Sequence, residues 1–283
     1  MMDRIPGEGF RPVHRFLFWA GVVATVVIVG FPLYWMVISS ITPYQMLFSR
    51  TLHLFPFNPT LEHYRDLLLR TRFPTYFLNS TIVAVITTGG AVVAATLAGY
   101  GLTRFNIRGR SLISSSILYV YMFPTIMLTI PLFVVLKQAG LVNSYIGLAL
   151  AQISFALPFA MWLSAIFIEA VPVELDEAAM IDGASRLRTL WSVVLPVALP
   201  GLVATTVFVA VLSWNDYLMS LVLMVSENRK TLPVGVASFA DATSVEWGLV
   251  MAGGVLVTLP MLIGFTFVQR HLVQGLGAGA VKG

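Results

Sequence analysis

Few side chains in this chain are placed to do chemistry. There is no cysteine, which removes thiolate catalysis, disulfides and Cys-based zinc sites. His14, His53, His63 and His271 lie in different segments, at spacings that form no HExxH-like ligand pair, so no metal site is expected. One acid stands inside an apolar stretch: Asp216, in the run Trp214-Asn215-Asp216-Tyr217. With no base or second acid beside it, Asp216 supports neither nucleophilic nor general acid–base catalysis, and the chain does not read as an enzyme. A charge at the centre of a bilayer costs about 2.5–3.5 kcal/mol on insertion scales, so Asp216 should face a bundle interior or a cavity. It would line a pathway or hold a partner; alternatively the span ends sooner and Asp216 lies near the outer interface. Asn79, Gln152, Asn215 and Tyr217, with Ser154 and Ser213, are candidates for the same polar lining. Helix-to-helix hydrogen bonding is the ordinary use of such groups.

A denser pattern occupies Pro172 to Pro196, PVELDEAAMIDGASRLRTLWSVVLP. It reads as two short helices. Pro172 suits a helix start, Glu174, Asp176 and Glu177 suit a first turn, and Gly183 suits a left-handed stop. Ser185 can then cap a second helix that Pro196 ends. Leu175, Ala178, Ala179 and Asp182 fall three and four residues apart, giving one small-residue face with a charge at its end. Such a face lets another backbone approach closely, while Glu177 or Asp182 can pair with a basic group on a docked protein. The competing reading is a helix lying on the membrane surface, but those helices present bulky apolar and basic residues.

The elements that must position these residues follow from bulk composition. Of 283 residues 58% are hydrophobic and 11% charged, with mean hydropathy +0.86, against roughly 25% charged in soluble domains. That is too little charge to cover a core in water, so the surface is largely lipid. The net charge of +4 is scattered in small groups between apolar stretches rather than gathered in a stripe, so no nucleic-acid partner is expected. A helix needs about 20 mainly apolar residues to cross the hydrocarbon core. Six stretches fit: residues 16–38, 76–101, 112–136, 145–168, 199–225 and 247–268. The N-terminal run follows Arg4, Arg11 and Arg15 like a signal peptide, but its length fits a retained span. Arg104, Arg108 and Arg110 crowd one short connection, whereas Lys137 is alone in the next, which places the N-terminus and, after six crossings, the C-terminus in the cytoplasm. Pro32, Pro124, Pro131, Pro158 and Pro260 should perturb their helices, and residues 61–69 should form a surface helix in an extramembrane loop.

The segment Glu177-Ala178-Ala179, Gly183, Val193, Leu195 and Pro196 resembles the EAA loop of bacterial importer permeases, E-A-A-x-x-x-G-x9-I-x-L-P, in register throughout and with Val193 in place of Ile. Asp182-Gly183-Ala184 resembles the carbohydrate-uptake branch. Trp214 to Tyr217 resembles its Trp-Asn-acid-aromatic segment. The tail QGLGAGAVKG, Gln274 to Gly283, resembles that of maltose-type second permeases, except at Gly277, where Thr or Ser is commoner. The resemblance implies an all-α integral membrane protein. It would be a single permease domain over residues 1–283 with six transmembrane helices, and a cytoplasmic coupling loop (169–196) would lie between the fourth and fifth. It implies half of a translocation pathway in a bacterial or archaeal cytoplasmic membrane, for a sugar or sugar-like solute delivered by an extracytoplasmic binding protein. Glu177, Ala178, Ala179, Asp182, Gly183, Leu195 and Pro196 would couple to a cytoplasmic ATPase. Gln274, Gly275 and Lys282 would touch that ATPase as well, and Asn228, Arg229, Lys230 and Asp241 would meet the binding protein. The implied partners are a second homologous permease and two ATP-binding-cassette subunits. ATP and Mg would be bound by those subunits, with no cofactor in this chain. A glycerol phosphate or polyol permease is the alternative within the class. A secondary transporter is the alternative outside it, though it would ordinarily show inverted repeats and more intramembrane charge.

Overall fold

The computed structural model describes residues 12–49, 54–55, 58–240 and 245–279. Its named elements are all helical: α1 (Pro12–Ser40), α2 (Tyr44–Leu47), α3 (Glu62–Arg70), α4 (Phe73–Arg104), α5 (Arg110–Tyr121), α6 (Thr125–Gln138), α7 (Tyr145–Glu169), α8 (Val173–Ile181), α9 (Arg186–Thr189), α10 (Leu195–Trp214), α11 (Leu218–Leu223), α12 (Leu232–Ala237) and α13 (Trp247–Gly279). Among the described residues, five runs are long and apolar enough to cross a bilayer: His14–Ser40, Phe73–Arg104, Tyr145–Glu169, Arg186–Trp214 and Trp247–Thr266. Thr125–Gln138 is a shorter apolar helix. Pro32, Pro131, Pro158 and Pro260 lie inside continuing helices, as membrane helices allow when neighbours satisfy the freed carbonyls.

Three expected boundaries are corrected. The third span is not one helix: α5 and α6 are separated at residues 122–124. Pro124 has no N–H to continue the ladder and biases Phe123 away from helical angles. The second span runs on to Arg104, which therefore sits in the last turn of α4 rather than in the connecting loop. Pro196 does not end the second helix of the inter-span segment. From α9 the chain enters a π-helical turn, Leu190–Val194, in which Leu195 N–H bonds back to Leu190 O, and passes directly into α10. The proline ring would strike the fourth carbonyl behind it in a regular helix. The wider turn moves that carbonyl aside, and the helix continues.

The chain divides into two compact units, residues 1–70 with 239–256, and residues 71–238 with 257–283. In the first, α1 presents Phe16, Val26, Ile28 and Val29 outward along its length, as a lipid-facing helix would. His63 on α3 is fully buried; its Nε2–H donates to Thr42 O at 2.6 Å, Tyr44 meets the ring edge-on, and Gly248 lies so close that a Cβ there would touch Nδ1.

The second unit is built on α4, α7 and α10. Ala91 and Ala95 of α4 meet Ala156 and Ala160 of α7, with Val209 of α10 closing the cluster. Small side chains permit this approach, which supplies the dispersion contacts that hold helices together in lipid. Gly99 is within reach of the α7 backbone: a Cβ would stand 3.0 Å from Ala165 N. Gly201 lies under the Phe167 ring, where a Cβ would approach to 1.9 Å.

Candidate functional site

Three sets of polar residues in this unit carry the sequence expectations. The first is the segment between α7 and α10. Pro172 is the N-cap of α8, Asp182 its C-cap, and Gly183 follows at φ +86°, a conformation nearly free of cost only for glycine. Ser185 caps α9, its hydroxyl accepting from Arg188 N at 3.4 Å. Both turns are where the sequence puts them. Glu177, Ala178 and Asp182 are exposed and Ala179 is half-buried. Ile181 is 86% exposed and Leu187 63%. Leu195 is half-buried and Pro196 exposed, while Leu190, Val194 and Ala198 seat the rear limb in an apolar cluster with Tyr100, Ile168, Val171 and Leu202.

The front limb is held differently. Asp176 accepts at Oδ2 from Arg104 Nε at 3.1 Å and from the Tyr100 hydroxyl at 3.3 Å. Arg104 Nη2 donates to Ile168 O and Val171 O, at 3.2 and 2.6 Å, where α7 runs out of internal partners. The ion-paired side chains are only 6% and 4% exposed. Asp176 Oδ1 has no donor among the described residues. Nearer the surface, Arg110 pairs with Glu169 at 2.8 Å and the Arg186 guanidinium stacks over Phe105.

The second set surrounds a break at the end of α10. Gln152 Oε1 accepts from Thr87 Oγ1 at 3.0 Å and Ser213 Oγ at 2.5 Å, and its amide donates to Asp216 Oδ2 at 3.1 Å. Asp216 also accepts from Met219 N, Ser220 N and Ser220 Oγ at 3.3, 3.0 and 2.8 Å. Asp216 is therefore not inside a continuous span: Asn215 ends α10, Tyr217 is the N-cap of α11, and the aspartate before it takes two first-turn amides of α11 while tying it to α7. Asn215 bonds back to Val211 O, and Tyr217 is exposed. Gln152, Ser213, Asp216 and Thr87 line a cavity of about 110 Å3. Thr125, Phe155 and Leu212 are shared with a larger apolar cavity of about 550 Å3, which also takes in Phe123 and Ser154 at its wall.

The third set is the loop after α11. Asn79, expected as pathway lining, is committed here: Nδ2 donates to Asn228 O and Lys230 O, and Oδ1 accepts from the Tyr145 hydroxyl at 2.6 Å. Arg229 lies over the Tyr145 ring, Lys230 pairs with Glu227 at 2.5 Å, and Glu227 accepts from the Tyr76 hydroxyl. Arg72 donates to Asn228 Oδ1. The Glu227 carboxyl is held below its ordinary range, first by the Lys230 ammonium and then by Tyr76. Asn228, Arg229 and Lys230 are thus brought together. Gln274 and Gly275 fall on the last turns of α13, whereas Asp241 and Lys282 lie outside the described residues.

Sequence reasoning missed Arg104, Tyr100 and Thr87 as site residues and used Asp176 only as a first-turn acid. The available signal was Tyr100 and Arg104 four apart at the end of an apolar helix, one helical turn shared by a ring and a charge.

A family model described as "Binding-protein-dependent transport system inner membrane component" matches residues 91–277. The chain is 35% identical over 274 residues to the trehalose/maltose transport system permease protein MalG of Thermococcus litoralis, covering 96% of this chain and 98% of that one. It is 33% identical over 275 residues to the inner membrane ABC transporter permease protein YcjP of Escherichia coli K12, with coverage of 96% and 98%. Among solved structures, a chain from a bacterial ABC transporter that imports the acidic polysaccharide alginate superposes with a TM-score of 0.81 at 23% identity, covering 92% of this chain and 98% of that one, which shows the same fold.

Proposed function

We propose, for a chain that belongs to the family of binding-protein-dependent transport system inner membrane components, that it forms half of the translocation pathway of an ATP-driven importer for a sugar or sugar-like solute. The solute class is supported by the trehalose/maltose relative. A second, homologous permease subunit completes the pathway. Two cytoplasmic ATP-binding-cassette subunits bind ATP and Mg, so this chain hydrolyses nothing itself. Both termini lie in the cytoplasm.

The observation that carries the reading is the division of labour in the segment between α7 and α10. Its acidic, small-residue side is exposed with Glu177, Ala178, Ile181 and Asp182, while the opposite side is fixed to the bundle by Asp176. A rigid element with one free face suits insertion into a cleft of a cytoplasmic partner. Glu177 and Asp182 then pair with basic groups there. Moving a two-state permease from 1:99 to 99:1 takes about 5.5 kcal/mol of differential binding, which ATP and the loaded binding protein supply by favouring one state. The break at Asn215 to Tyr217 places the Gln152 and Asp216 network beside a cleft, where it contributes polar contacts to the pathway. Asn228, Arg229 and Lys230 form the outer surface offered to the binding protein.

The test is Glu177→Lys combined with Gly183→Pro. Proline fixes φ near −65°, opposite to the +86° that Gly183 adopts. The variant is expected to insert into membranes yet lose the ATPase subunits on co-purification and with them solute-stimulated ATP hydrolysis. Unchanged stimulated hydrolysis in the reconstituted complex sinks the reading. Uptake of labelled sugars, polyols and glycerol phosphate by the same complex identifies the solute class, and transport of the last alone overturns the sugar assignment.

A further inference from the structure

We infer that Arg104 and Asp176 are a positioning pair that passes movement of the inter-helical segment into α4. The inference rests on the coupling role proposed for that segment. Asp176 is the only fully buried side chain on α8 among the described residues. The rear limb is continuous with α10 and seated by apolar contacts, so motion entering there needs no special device. The front limb has no such seat. It packs on the π turn and α9 of the rear limb, and Asp176, its one buried side chain among the described residues, ties it to α4.

The guanidinium that receives this carboxylate does more than neutralise it. Nε addresses Asp176, while Nη2 addresses the two carbonyls at the end of α7. One planar group thereby fixes the angle between α4, the end of α7 and α8, a geometry that a lysine's single rotatable ammonium does not impose. Tyr100, one turn back on α4, gives the carboxylate a second donor from the same helix. A load on α8 is therefore delivered to α4, and α4 is packed on both α7 and α10. Packed side chains and ion pairs that join two elements are a physical carrier of such coupling.

The test uses the complete reconstituted complex in proteoliposomes. Arg104→Lys keeps the charge and loses the fork; Asp176→Asn keeps the shape and loses the charge. Each is expected to retain the ATPase subunits on purification, because the exposed docking face is untouched. Each is also expected to lower the ratio of solute-stimulated to basal ATP hydrolysis by about tenfold, within the range seen for coupling residues. A third variant, Arg104→Cys with Asp176→Cys, exploits a chain with no other cysteine. Bridging its two thiols with a reversible bifunctional methanethiosulfonate should restore the stimulated ratio, and reductant should remove it again. A merely stabilising role does not give that reversible response. Wild-type ratios in Arg104→Lys and Asp176→Asn overturn the inference, as does loss of the ATPase subunits from both or a bridged variant that stays uncoupled. If a complex with the native Arg104 and Asp176 keeps its stimulation when it carries Glu177→Lys and Gly183→Pro, the underlying coupling reading has failed instead, whatever the pair does.

Discussion

Asp216 has four donors, and this changes what its removal would do. In Asp216→Ala the first-turn amides of α11 lose their acceptor, worth about 0.5–2 kcal/mol, and the buried Gln152 amide loses its acceptor, worth about 1–3 kcal/mol. Thermal unfolding in detergent should show a clear drop for this variant and little change for Asp216→Asn, which still accepts. Equal midpoints for all three proteins would mean the network bears no load. Sequence alone marked Asp216 as an acid with need of polar partners, but which partners it finds depends on where α10 stops, and an unbroken apolar run does not reveal that. Asn79, a candidate for the polar lining, is engaged by partners the sequence does not bring near it: Tyr145 lies 66 residues on and Asn228 and Lys230 lie 149 and 151 residues on. Glu227 gives a prediction in pH. Its carboxyl is lowered from an ordinary 4.5, so the folded loop prefers the ionised form. That contribution is complete above 4.5 and lost as pH falls through the depressed value. A spin label on Ser226→Cys should therefore be immobile at neutral pH and loosen as the medium is acidified below 4.5, with Glu227→Gln loose throughout.

At the scale of elements, helix existence was legible and helix continuity was not. The fourth span, expected over residues 145–168, is α7 to within a residue because Ser144 caps it and its apolar run is unbroken. The third and fifth depart where proline acts through context. Pro124 breaks a helix with nothing to rescue it, while Pro196 is accommodated by a π turn. Both are prolines in apolar surroundings, and the difference lies in the register of bonds behind the ring, which composition does not record. The close crossings give a packing test. Gly201→Leu must displace the Phe167 ring and Gly99→Leu must push against the α7 backbone. Overpacking of this kind costs typically about 1–3 kcal/mol, and the Gly99 change should be the worse because backbone yields less than a side chain. Thermal midpoints of the two variants, compared with Gly89→Leu, where nothing lies within 4 Å, decide it.

For the molecule as a whole, composition and spacing were enough to place it in lipid, and Arg104 at the end of α4 with Arg108 and Arg110 just beyond it were enough to orient it as a proposal. The orientation is directly testable because the chain lacks cysteine. A membrane-impermeant thiol reagent added outside intact cells should label Ser226→Cys and leave Ile181→Cys untouched, and the reverse pattern would invert the topology. Whether six crossings are six rigid rods was beyond what the sequence conveyed. The run Arg186–Trp214 is one rod of 29 residues, about 43 Å long at the rise of an α-helix. Its foot is the segment that carries Glu177 and Asp182, and its head is the break where Asp216 sits. Each degree by which such a lever leans at its foot sweeps the head sideways by about 0.8 Å. A few degrees of rocking would be enough to pull Ser213 away from Gln152, so the polar knot at the top would open and close as a catch worked from the far side of the membrane.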